Sequence, residues 1–161
     1  MPSIIAHGIM GYLLNNNKIG IIYSILPDII GYTRYIIKLL YNYYLNGIPE
    51  NYFDRLVSLA SGVPKDKFDS IDKLLYKISH SIVIWLLLYI FTNNKYIKST
   101  IFSILLDILL HSDDYWMGPE FLYPLSNITY NGIHWNTFLG NIIQFFIIII
   151  LYQFNYLNYN F

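Results

Sequence analysis

The chain has 161 residues, 55% of them hydrophobic and 12% charged, with ten Lys+Arg balancing ten Asp+Glu. That length suits one domain, and charge this sparse points to a bilayer as solvent, since soluble domains carry about 25%. Net neutrality with no basic run excludes nucleic acid as the expected partner, and the absence of Cys excludes disulfides and thiolate metal sites.

Long apolar runs that rarely alternate, broken by Asn and Lys clusters, predict an all-α chain: a single domain over 1–161, built as a bundle of antiparallel helical hairpins. The start, "MPSIIAHGIMGYLL", has no positive n-region or small-residue cleavage site and is read as structure, not as a removable signal. A first helix is predicted from Ser3, its N-cap, to Leu14, where "NNNK" stops it. A second follows from Ile19 to Tyr44, with Pro27 expected to kink or restart it.

The polar insertion at about 46–77 breaks this pattern. Residues 47–80 hold half of the charged side chains. Phe53 to Ala60 fits a short amphipathic helix, and another begins with Asp69 or Ser70 as its cap. The latter is expected to continue through "SHSIVIWLLLYIFT" to Thr92, then return from Thr100 to Leu110 as a hairpin. From Phe121 onward there is no Asp, Glu, Lys or Arg. About 135–154 is long enough to cross a hydrocarbon layer of roughly 30 Å, which makes it the predicted membrane helix. Lys95 and Lys98 would place the second hairpin's turn on the cytoplasmic side.

Polar residues in these greasy segments carry the functional signal. "DILLHSDDYW" puts three carboxylates and a histidine into an apolar run, and an ionisable group there is costly unless compensated. Counted from its turn, His7 lies eight residues before Asn15 and Asp28 ten after Lys18, so the two sit at nearly one height. In the second hairpin, His80 and His111 are likewise level. Asp107 and His111, four apart, can share a helix face, and Asp114 follows three later. A buried His/Asp metal site satisfies this arrangement, because a cation offsets the carboxylate charge.

Plainer readings stand beside it. His7 could be a core histidine bonded to a carbonyl, Asp28 a helix-start residue after Pro27, and His80 a cap. Asp113 and Asp114 could be solvated loop acids, and His134 an interfacial residue beside an aromatic anchor.

The segments "IIAHGIMGYLL", "SILPDII", "LLYKISHSIVIWLL" and "ILLDILLHSDDYWMGPEFLYPLSNITYNGIHW" resemble a family of small membrane-bound, metal-dependent hydrolases. More distantly they are similar to the all-helical zinc-dependent phospholipases C. The resemblance implies metal ligands at His7, Asp28, His80 and Asp107, one or two Zn²⁺ ions, and hydrolysis of a phosphoester or lipid-like substrate at a membrane. Asp107, Asp28 or Asp114 would then orient the attacking water or take its proton. One position departs from the pattern. Ser103 stands where the family's H-x-x-x-D pair has histidine, so either His111 supplies the missing nitrogen, fewer metals bind, or the site is inactive. "PEFLYPLS" resembles a family loop that closes over the site. Two readings compete with the hydrolase: a non-catalytic helical membrane protein whose His and Asp residues hold a structural metal or simply pair with each other as a polar cluster, and a soluble all-α domain with an unusually apolar core.

Overall fold

A computed structural model describes residues 4–48, 68–111, 118–135 and 137–159. Among them the chain is all-helical, with six helices and no strand: α1 (Ile4–Asn15), α2 (Lys18–Asn46), α3 (Ser70–Ser79), α4 (Ile82–Thr92), α5 (Ile97–Leu109) and α6 (Phe138–Tyr159). The expected Phe53–Ala60 helix, the Ser3 cap and Asp113 and Asp114 lie outside the described residues.

Two hairpins, α1–α2 and α4–α5, form the frame, and each turns through an asparagine in the left-handed region: Asn16 at φ 45° and Asn93 at φ 47°. Asn tolerates that conformation better than most side chains. The two turns lie side by side. The Asn15 side-chain amide donates to Ser99 Oγ, and Asn94 Nδ2 donates to the Tyr23 hydroxyl at 2.7 Å.

α5 is the central helix. One apolar face joins Leu106 and Leu110 to Ala6 and Met10 of α1, with Ile143, Ile147 and Leu151 of α6 packed on them. A second joins Ile97, Ile104 and Ile108 to Trp85 of α4, with Leu26 and Ile30 of α2. A third, polar stripe, Ser99, Thr100, Ser103 and Asp107, is buried as well. Buried polar groups require partners, and α1 and α2 supply them.

α1 crosses α2 at two glycines. A Cβ built on Gly11 would lie 2.3 Å from Gly20 O, and one on Gly20 would lie 2.2 Å from Gly11 O. No side chain fits there, so the backbones themselves are in contact.

Contrary to the expected restart, α2 runs unbroken through Pro27. Proline removes the N–H that would bond the carbonyl one turn back. That carbonyl, Tyr23 O, instead accepts the Thr100 hydroxyl of α5 at 2.7 Å. Asp28 is thereby carried on a continuous helix.

The helix expected to run from Asp69 to Thr92 is two, α3 and α4, bent by 52° at His80–Ser81. Ser81 caps α4 by accepting from Ile84 N. Phe121 O accepts from Ile82 N at 2.9 Å, and the Ser81 hydroxyl donates to Tyr123 O. The 119–125 segment thus docks on the break, aided by a Lys77–Glu120 ion pair at 2.8 Å. An unpaired first turn would be costly next to apolar neighbours, and this loop makes the break tolerable.

Asp69 caps α3 through a capping box with Asp72. The same two acids bind α2: Arg34 lies 2.5 Å from Asp69 and 3.0 Å from Asp72, and Lys38 lies 2.7 and 2.6 Å from them. Hydrogen bonds from Arg34 and then Lys38 hold the Asp69 carboxyl well below the usual carboxylate range. A depressed folded value means the stabilisation is full above the unfolded value, about 3.9, and is lost as pH falls below it. Asp69→Asn retains an N-cap but removes the charge. The melting-temperature gap between wild type and this variant is therefore expected at pH 6 and should close progressively below about pH 4. A gap independent of pH would show that the charge contributes nothing.

Candidate metal centre

Four of the residues singled out in the sequence converge. His7 enters from α1, Asp28 from α2, His80 from the residue capping α3, and Asp107 from α5. All are buried, with exposures of 0%, 3%, 0% and 1%. His7 Nε2 lies 3.1 Å from Asp107 Oδ1 and 3.9 Å from Asp28 Oδ2. His80 Nε2 lies 3.3 Å from Asp28 Oδ1 and 3.8 Å from Asp107 Oδ2. Asp28, His80 and Asp107 each present a donor atom within 4.8 Å of the others and form a group able to hold a metal ion.

Local structure explains how these side chains are aimed. Gly31 lets the end of α3 approach α2, since a Cβ there would sit 2.9 Å from Ser79 Oγ and 3.3 Å from His80 Cε1. Tyr76, one turn before His80, stacks on its ring at 4.0 Å between centroids and 22°. On α1, the His7 carbonyl accepts the Ser24 hydroxyl at 2.6 Å, which fixes that turn against α2.

The hydrogen bonds of His80 define its tautomer. Its Nδ1 lies 3.2 Å from Tyr76 O, which can only accept, and 2.9 Å from Ser79 Oγ. Ser79's single hydroxyl proton is directed at Tyr76 O, 3.1 Å away, so its oxygen is left to accept from His80. Nδ1 therefore carries a proton. In the neutral ring, the Nε2 lone pair then faces two carboxylates. Acceptors facing acceptors in a dry setting repel unless something positive lies between them. Asp107 Oδ2 poses the same demand, being buried with no hydrogen-bond partner.

In the protein alone, protons meet part of this need. Burial works against protonation of His7, but the neighbouring Asp107 carboxylate outweighs it and raises the imidazole above its usual value. Two carboxylates with two neutral imidazoles carry two negative charges, which a divalent cation would balance.

Other predicted residues take different places. α5 ends at Leu109 with Leu110 as its cap, so His111 lies past the helix that would align it with Asp107. It is buried, and its carbonyl accepts from Gly132 N at 2.6 Å. Asp114 lies outside the described residues. His134 stacks on Trp135 with centroids 6.1 Å apart. The 119–125 segment, expected as a closing loop, is seated on the α3–α4 break beside His80. Sequence reasoning missed Ser79, Tyr76 and Gly31 around His80.

No family model, curated protein or solved structure matches the chain.

Proposed function

We propose that the chain is a membrane-associated, zinc-dependent hydrolase whose metal is held by His7, Asp28, His80 and Asp107, and whose substrate is a phosphoester or lipid-like ester. The observation that carries the metal is the convergence of two buried carboxylates on His80 Nε2, at 3.3 and 3.8 Å, on a ring whose Nδ1 is already committed to Tyr76 O and Ser79 Oγ. Two imidazole nitrogens with carboxylate oxygens form a donor set that suits Zn²⁺ better than Mg²⁺ or Ca²⁺, which take oxygen. A zinc ion there would polarise a scissile oxygen and lower the pKa of a water it binds to about 7. Asp28 and Asp107 then have a second use, since a carboxylate oxygen not engaged by the ion can orient water or accept its proton.

Membrane association is supported by α6. Its Phe138–Leu157 stretch is long and apolar enough to cross a bilayer, and only 11% of its most apolar part is buried, unlike the core helix of a soluble protein. Exposed Ile4, Ile5 and Ile9 on the neighbouring α1 extend the apolar surface. A lipid-like substrate is the kind that such a surface would deliver.

A specific observation favours a second reading, a structural metal. The four ligands are almost wholly buried, and four protein donors can close a tetrahedral site, as structural zinc sites do. Metal analysis of detergent-purified protein beside the His80→Ala, Asp107→Ala double variant tests the centre. About one equivalent of zinc is expected in the wild type and none in the variant; equal content would end the ligand assignment. A phosphodiester panel then separates the two uses, with zinc-dependent turnover expected of the hydrolase and none of a structural site.

A further inference from the structure

We propose that Ser103 is a positioning residue for the metal centre, holding His7 in the tautomer that turns its Nε2 lone pair towards the ion. The inference rests on the metal reading above. Ser103 and Asp107 stand one turn apart on the same face of α5, and both reach His7: Ser103 Oγ is 2.5 Å from Nδ1, and Asp107 Oδ1 is 3.1 Å from Nε2. Ser103 is 2% exposed, so water does not substitute for it.

The two histidines of the centre differ in what holds their outer nitrogens. His80 is fixed from within its own helix, by Tyr76 O and Ser79 Oγ. His7 is fixed from the neighbouring helix, by Ser103. An imidazole that ligates a metal through Nε2 presents a donor N–H at Nδ1 and needs an acceptor there. Without an ion, a proton on His7 Nε2 satisfies Asp107 Oδ1 at 3.1 Å; where an ion takes that place the ring proton belongs on Nδ1, and the Ser103 oxygen at 2.5 Å is the acceptor it meets. In the opposite arrangement the hydroxyl donates to Nδ1, the proton moves to Nε2, and His7 is lost as a ligand. Ser103 is thus not a ligand itself: it sits on the outer side of the ring that binds.

The test uses the full chain in detergent. Co²⁺ titration, read by its visible absorption, is carried out on wild type, Ser103→Ala and Ser99→Ala, the last a buried serine one turn away that faces Asn15 instead. Nitrogen-15 NMR of labelled histidines in the zinc-loaded protein reports which ring nitrogen of His7 is protonated. Wild type is expected to show His7 protonated at Nδ1. Ser103→Ala should weaken Co²⁺ binding about tenfold or more, the range for loss of an outer partner, and lose exchange protection of that N–H. Ser99→Ala should bind as wild type does. Unchanged affinity in Ser103→Ala, equal loss in both variants, or a His7 protonated at Nε2 would each overturn the proposal. Failure of the wild type itself to bind Co²⁺ or Zn²⁺ would instead overturn the metal reading.

Discussion

Gly20→Ala is expected to destabilise the protein by about 1–3 kcal/mol or more and to weaken metal binding with it. The added methyl would meet Gly11 O at 2.2 Å, and the reciprocal Gly11→Ala would meet Gly20 O at 2.3 Å and Ser24 Cβ at 2.4 Å. These are backbone and inner side-chain atoms, which cannot swing aside, so the helices must separate. Separation of α1 from α2 pulls the Ser24 hydroxyl from the His7 carbonyl and draws His7 away from Asp28, already 3.9 Å apart. Gly8→Ala is the internal control: its methyl would meet only the Ile21 Cγ2 methyl, at 3.3 Å, and a shift of a few tenths of an ångström accommodates it. Denaturant titration in detergent and zinc titration should therefore rank Gly8→Ala near wild type, with the other two clearly below. Equal behaviour of Gly8→Ala and Gly20→Ala would mean that the crossing is not what holds His7 in place.

The level placement of His7 and Asp28 was legible because helix rise converts residue count into height from the shared turn, whereas the full set with His80 and Asp107 was implied only by the resemblance, since counting paired His80 with His111. The bend at His80–Ser81 was not legible from that source. It depends on Ile82 N finding Phe121 O, a contact about 40 residues away that no local pattern encodes. Pro27 gave the opposite outcome: a local rule predicted a kink or a restart, the helix does not restart, and a hydroxyl on another helix bonds the carbonyl that proline leaves free. His111 illustrates the limit of spacing alone, since four residues share a face only while the helix continues, and α5 stops at Leu109. Ser103 was visible as a departure from a resemblance, but its contact with the outer nitrogen of His7 required the α1–α5 packing to be known.

Chelation should expose the electrostatic cost of the centre. If the cation binds only the folded chain, it stabilises by about 4 kcal/mol when present at a thousand times its Kd, and by about 2.7 kcal/mol at a hundred times. Stripping zinc from the wild type should lower its melting temperature, and adding zinc back should restore it, because Asp107 Oδ2 has no protein hydrogen bond to fall back on. Asp107→Ala should behave differently in a diagnostic way. It removes one of the two carboxylates proposed to bind the cation, and with it the oxygen 3.1 Å from His7, so its stability should not respond to zinc or chelator. Breaking a buried charge pair costs about 3–5 kcal/mol where the remaining charge is stranded. Here His7 can discharge by releasing its proton, so the variant should lie closer to the stripped wild type than to the zinc-loaded protein. A wild type whose melting temperature ignores chelator, with zinc shown by analysis to have left, would mean that protons on His7 and His80 alone satisfy the two carboxylates and that the centre is an ion-pair cluster.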